Sequence, residues 1–167
     1  MDILTSRLRI VPLSAAQLAL LLEAKAAFEA EFGLTPSSGC LDQHEREAMR
    51  WLHDTALEHP DAFPWYARWH IIALAAKTAI GAACFKGPPN SDGEVELGYG
   101  IDPPHRNRGY MTEAAQALCE WAFGQAGVQS VVAITDRDNI ASHTICRNCG
   151  MSLTGESPDG LVWRRRG

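Results

Sequence analysis

No stretch of this sequence is apolar for long enough to cross a bilayer, which takes about 20 consecutive apolar residues, so a membrane-spanning chain is not expected. Basic charge is scarce too: 15 Lys and Arg stand against 20 Asp and Glu, a net charge of −5. Neutralising a nucleic-acid backbone takes a basic face, so nucleic acid is not expected as a main partner, whereas a cationic amine is compatible with the balance. Cysteine is sparse and odd in number. Cys40, Cys84, Cys119, Cys146 and Cys149 lack the spacing of a disulfide framework, which fits a reducing compartment. The opening Met1-Asp2-Ile3-Leu4, followed at once by Arg7 and Arg9, lacks the order of a secretory leader, and a cytoplasmic chain is expected. Several chemical signatures are missing as well. No GxxxxGK[ST] loop occurs, and Gly98-Tyr99-Gly100 opens like a dinucleotide fingerprint whose third glycine would fall at Pro103. His44-Glu45 begins like HExxH but meets Ala48 where the second His belongs, and no metal is expected. There is no internal repeat and no low-complexity segment.

What is present is an ordinary globular composition, 46% apolar and 21% charged over 167 residues, enough for one domain with a real core, 1–167, and too little for two. Thr5 to Leu13 alternates as a first strand. Ser14 with Gln17, and Asp42 with Glu45, form capping boxes for two helices, one to Phe32 with Gly33 as its stop, the other to about His59 with Met49, Leu52 and Leu57 among its apolar positions. Ser37-Ser38-Gly39 reads as a loop between them. Trp65 to Leu74 and Ile80 to Phe85 read as a hairpin, and Gly87 to Gly93 as a loop. Val128 to Thr135 is a β-branched run and hence a buried strand. Asn139 can cap a short helix to Cys149, closed by Gly150. Leu153 and Leu161-Val162-Trp163 indicate a last hairpin, and Arg164-Arg165-Arg166 reads as a solvated terminus. The order, β-α-α-β-β-β-α-β-α-β-β, predicts an α/β (α+β) domain with a mixed sheet and helices on its faces.

The segment from Glu94 to Ala114, EVELGYGIDPPHRNRGYMTEA, is the richest in chemistry. Glu94 to Ile101 alternates as a strand, and Asp102-Pro103-Pro104 stops it, because proline cannot donate to a sheet ladder and pushes the preceding residue out of the α region. Arg106-Asn107-Arg108-Gly109-Tyr110-Met111 then opens a helix running to about Gln125. The first N–H groups of a helix lack partners within it and the macrodipole is positive there, so this turn, with two guanidinium groups and a glycine, is an anion cradle. The plain alternative is a pair of solvated surface arginines.

Arg106 to Met111 resembles the pyrophosphate-binding signature of the GNAT acetyltransferases, [QR]-x-x-G-x-[GA], with Met111 in place of the usual small residue. GYMTEA, Gly109 to Ala114, and the opening TSRLRI resemble the branch that acetylates protein N-terminal amines and small amines, the ribosomal-protein-alanine N-acetyltransferase type. The resemblance spans roughly Thr5 to Met151. It implies a GNAT fold with a mostly antiparallel sheet of six to seven strands and helices on both faces, and an acetyl-coenzyme-A-dependent N-acetyltransferase acting by direct attack of a primary amine, either a protein N-terminus or a small molecule, in a monomer or homodimer. By the same resemblance Tyr99, Gly100 and Ile101 would line the pantetheine arm. Arg106, Asn107, Arg108, Gly109, Tyr110, Met111 and Thr112 would hold the pyrophosphate, and Asn139 and Ser142 would sit by the arm and the sulfur. Ser142 would be the proton donor, directly or through water, although a free serine hydroxyl is a poor acid. A strand carboxylate would be the base, Glu96 ahead of Glu94, with Tyr110 and His105 as weaker candidates. Each has a plainer reading: Asn139 as a helix cap, Glu96 as a solvated carboxylate, Gly98-Tyr99-Gly100 as a bulge. Two other functions remain open. One is a coenzyme-A-binding sensor without turnover. The other is a thiol redox protein using Cys146 and Cys149, for which buried structural cysteines are the plainer reading.

Overall fold

A computed structural model describes residues 1–37 and 41–167 of the chain. The Ser38-Gly39 part of the predicted loop, and Cys40, lie outside the described residues. The chain divides into two compact units, Met1–Cys84 and Phe85–Gly167.

The first unit holds β1 (Ile3–Leu4), β2 (Leu8–Leu13), α1 (Ala15–Glu23), α2 (Lys25–Glu31), α3 (Gln43–Glu58), a single helical turn α4 (Phe63–Tyr66), β3 (Arg68–Ala73) and β4 (Thr78–Phe85, of which the last residue falls to the second unit). Its strands pair in sequence order, β1-β2-β3-β4, all antiparallel. Both predicted capping boxes are present. Ser14 Oγ accepts from Gln17 N at 3.2 Å and Asp42 Oδ1 from Glu45 N at 2.8 Å, and each partner side chain reaches back to the cap. Leu18 and Leu21 of α1, Phe28 of α2, and Met49 and Leu52 of α3 bury against Val11, Leu13 and Ile72 of the strands.

Several expectations are corrected here. The single helix predicted to Phe32 is two, broken at Ala24, whose φ of −144° and ψ of 64° leave the helical region. Leu57 is exposed, because the buried stripe of α3 continues from Met49 and Leu52 to Ala56. Trp65 belongs to a helical turn started by Pro64 rather than to a strand, so β3 begins only at Arg68.

The second unit holds β5 (Glu94–Ile101), α5 (Tyr110–Phe123), β6 (Ser130–Thr135), α6 (Ile140–Asn148), β7 (Ser152–Ser157) and β8 (Gly160–Arg166). Its strand order is β5-β6-β8-β7, with β5 and β6 parallel and the other pairs antiparallel. The parallel pair requires a crossover, and α5 provides it, burying Met111, Ala114, Ala115, Leu118, Cys119 and Ala122. Strand β6 is buried along nearly its whole length, as its β-branched run predicts. With β1 counted, the two units carry eight strands among the described residues, one more than expected; the class, mixed and mostly antiparallel, stands.

The arginine tail is also corrected. Arg164, Arg165 and Arg166 are residues of β8, not a solvated end. Arg164 Nε donates to Glu94 Oε2 at 2.9 Å, and Arg165 pairs with Glu120 while lying 5.3 Å from the Phe123 ring centroid. Among the described residues, no helix is long and apolar enough to cross a membrane.

Candidate active site

Strand β5 starts as a paired strand and does not stay one on its β6 side. Glu94, Val95 and Glu96 are in register with Ser130, Val131 and Val132; β6 runs on to Thr135 while β5 runs on to Ile101 without further pairing between the two. The backbone of Leu97 to Ile101 therefore faces a gap on that side. The segment predicted to take an extended ligand lies in it. A β-carbon added at Gly100 would meet nothing within 4 Å, so the strand is bare at that point.

Past Ile101 the two prolines set a 3-10 turn, Pro103–His105, and the chain doubles into the arginine loop. Asn107 at φ 60° and Gly109 at φ 76° are both left-handed, a conformation glycine adopts freely and asparagine better than most residues. That pair of reversals turns the backbone into the start of α5. Gly109 is the N-cap and contributes no side chain to it, so the amides of Met111 and Thr112 in the first turn have neither a helical partner nor a side-chain cap. Arg106 Nε donates to the Ile101 carbonyl at 3.2 Å, tying the loop back to the strand end.

The third wall is α6. Asn139 Oδ1 accepts from Ser142 N at 3.0 Å, so the cap reading of Asn139 holds, and its side-chain nitrogen is the part left for a ligand. Tyr99 crosses from β5 to this helix: its hydroxyl donates to the Ser142 carbonyl at 3.3 Å and lies 3.3 Å from Cys146 Sγ. Burial, reinforced by Cys146, pushes the phenol well above its ordinary pKa. It is a fixed neutral donor throughout the physiological range.

These three walls enclose a cavity of about 610 Å³. Its lining contains every residue named above for cofactor contact: Tyr99, Gly100, Ile101, Arg106, Asn107, Arg108, Gly109, Tyr110, Met111, Thr112, Asn139 and Ser142. His105 lines it as well. Glu96 does not. Its carboxylate sits 3.5 Å from Lys86 Nζ, a half-exposed pair worth under about 1 kcal/mol. Glu94 is held by Arg164, beside a more open groove of about 660 Å³ around the start of β5 that carries none of the signature residues. Ala141, Thr144, Ile145 and Asn148 also line the signature cavity. They recur at helical spacing from Ala141, at i+3, i+4 and i+7, which is one face of α6.

Cys119, Cys146 and Cys149 offer no reactive thiol. Burial pushes Cys119 up to about 11 and Cys149 up to about 12, and raises Cys146 as well, so all three stay protonated and poorly nucleophilic at neutral pH. A redox role for Cys146 and Cys149 gains nothing from this geometry; both are buried, as the plainer reading expects.

The bare position at Gly100 gives a sharp test. Gly100 lines the cavity and a β-carbon there meets nothing within 4 Å, so Gly100→Val adds a branched side chain beside the backbone proposed to take the ligand arm. The melting temperature should stay within a few degrees of the native value while coenzyme A binding falls by more than tenfold. Calorimetric titration alongside thermal unfolding separates the two; retained binding would place the ligand elsewhere.

The acetyltransferase (GNAT) domain family matches residues 7–152, a stretch running through both units. Among curated proteins, the uncharacterized N-acetyltransferase YjdG of Bacillus subtilis is 30% identical over 95 residues, 57% of this chain and 56% of that one. The chain spans about half the length of the curated relatives it matches. Among solved structures, RimL, a ribosomal L7/L12 alpha-N-protein acetyltransferase in complex with coenzyme A, superposes with a TM-score of 0.70 at 16% identity, covering 99% of this chain and 98% of that one. The ribosomal-protein-S5-alanine acetyltransferase of Vibrio fischeri gives 0.69 at 12%, covering 99% and 96%.

Proposed function

Because the chain belongs to the GNAT acetyltransferase family, we propose that it transfers the acetyl group of acetyl-coenzyme A to a primary amine, on a protein N-terminus or a small molecule. One observation carries this reading: the gap beside β5, the uncapped start of α5 and the polar start of α6 converge on one cavity. A long ligand with an amide-bearing arm and a diphosphate fits that set. The arm would take the backbone of Tyr99 to Ile101. The diphosphate would take the first-turn amides and the guanidinium groups of Arg106 and Arg108.

The thioester supplies an activated acyl group, so no covalent residue is required of the chain. What the chain must do is orient the thioester, accept a proton from the incoming ammonium and neutralise the departing sulfur. Ser142, on the cavity wall with its amide fixed by Asn139, would serve the sulfur, and the Tyr99 hydroxyl ties that turn of α6 to β5. Glu96, which lies outside the cavity lining beside Lys86, is proposed as the base, acting through water. Glu96→Gln should lower turnover and displace its pH optimum while the affinity for coenzyme A stays within about twofold, since the residue makes no contact in the cradle. A loss of affinity with turnover intact would remove it as base.

Among the described residues no carboxylate lines the cavity, and this favours one second reading, a coenzyme-A-binding sensor without turnover. A panel of N-terminal peptides, polyamines and aminoglycosides, assayed for acetyl-coenzyme A consumption above its background hydrolysis, decides between the two. Consumption with any amine establishes the transferase and starts to define its acceptor; silence with all of them, despite measurable cofactor binding, establishes the sensor.

A further inference from the structure

The cavity has a direction, fixed by what holds α6 at each end. At its start, Ser142 is tied to Tyr99 of β5. At its finish, the Asn148 carbonyl accepts from Gln116 Nε2 at 2.8 Å and Cys149 Sγ contacts the Thr112 carbonyl at 3.6 Å, which pins this end beside the first two turns of α5. Six residues of helix separate Ser142 from Asn148, about 9 Å of rise. A ligand whose arm lies along Tyr99 and whose diphosphate sits at the start of α5 therefore has its nucleoside directed toward the Asn148 end.

The side chains there differ in what they have left to offer. Thr144 spends its hydroxyl on the Ile140 carbonyl at 3.0 Å. Ile145 presents an apolar side chain to the cavity. Asn148, one turn further on, lines the same wall, and among the described residues its side-chain amide has no hydrogen-bond partner, only its backbone carbonyl being engaged. An apolar platform followed at i+3 by a free planar amide is a base-reading arrangement. A carboxamide pairs its oxygen with the N6 amino group of adenine and its nitrogen with N7, a combination guanine and hypoxanthine do not present.

We propose that Asn148 reads the adenine of the donor's nucleotide, with Ile145 as its packing surface, so that α6 discriminates the full nucleotide-bearing cofactor from its pantetheine half. This rests on the coenzyme A reading of the cavity. The residue would set donor specificity and take no part in the transfer itself.

Calorimetric titration of the native chain and of Asn148→Ala and Asn148→Leu with coenzyme A, with 4′-phosphopantetheine and with coenzyme A carrying hypoxanthine in place of adenine tests it. Both variants should bind coenzyme A about tenfold more weakly and 4′-phosphopantetheine as tightly as the native chain does. The native chain should bind the hypoxanthine analogue about tenfold more weakly than coenzyme A, and the variants should no longer distinguish the two. Unchanged coenzyme A binding in both variants, or an equal loss for coenzyme A and 4′-phosphopantetheine, would overturn the assignment while leaving the cavity a coenzyme A site. A native chain that bound none of the three would overturn the cavity reading, and this inference with it.

Discussion

A chain with Arg106 and Arg108 both replaced by Ala should bind coenzyme A at least a hundredfold more weakly than the native protein, with a melting temperature almost unchanged. Each guanidinium that makes charge-assisted hydrogen bonds to a phosphate contributes about 1.5–3 kcal/mol, roughly a factor of ten or more. Both residues are exposed and the Arg106 side chain donates to the Ile101 carbonyl, so removing the pair should take far more from binding than from folding. Part of the affinity is Coulombic and reaches solvent, so native binding should also weaken as salt rises and the double variant should lose most of that dependence. Titration at two ionic strengths checks both statements. An unchanged dissociation constant in the double variant would leave only the backbone amides as the cradle and would reduce the arginines to surface charge.

The second large effect concerns acid. His70, on β3, is buried against the edge of the Phe28 ring, and its Nδ1 has no hydrogen-bond partner among the described residues. Desolvation, with Arg68 adding to it and Glu29 opposing it, depresses its pKa to about 3 from the ordinary 6.5. The folded chain holds this imidazole neutral while the unfolded chain lets it charge. Stability is therefore full above the unfolded value near 6.5 and drains as pH falls toward 3, by roughly 1.4 kcal/mol per pH unit, several kcal/mol across the window. Glu29 adds to the loss at the lower end. Burial raises its pKa, but hydrogen bonds from Lys25 and Ser37 outweigh that and leave it lowered, so its contribution disappears as pH drops below the usual carboxylate value. Urea unfolding at pH 7.5 and pH 4.5 should show a fall of about 2–3 kcal/mol, and His70→Leu should flatten that difference whatever it does to stability at neutral pH. Equal pH dependence in the two chains would assign acid lability to other groups.

How much of this was legible beforehand depends on the range of the interactions involved. The caps at Ser14, Asp42 and Asn139 and the left-handed turn at Gly109 are settled within four residues, and the sequence carries them openly. The break at Ala24 is not local: neither Gly nor Pro marks it, and the next residue, Lys25, is drawn to Glu29 and Ser37. Nor is the placement of the three closing arginines, which look like a solvated tail until Glu94, 70 residues earlier, is seen to hold Arg164. Periodicity reports that a helix has a buried face and says nothing of what the other face borders. So the Ser142 side of α6 was read from a motif while Ala141, Thr144, Ile145 and Asn148 were missed. The cradle was visible from charge, glycine and helix start; that a ligand arm would lie along Tyr99 to Ile101 came only from resemblance, since no residue at Leu97 forbids β5 from pairing further with β6.

That early parting of β5 from β6 has a thermodynamic side. A sheet normally satisfies its own backbone, and a substitution in a central strand is penalised in folding before it can be tried in function. Here the stretch from Leu97 to Ile101 keeps one edge unspent, and whatever occupies the gap acts as a removable strand whose hydrogen bonds count toward binding and not toward the stability of the empty chain. Affinity for the donor can then vary by mutation along this edge with the fold held constant. The protein's heat stability, in turn, should climb with the concentration of the compound that fills the gap.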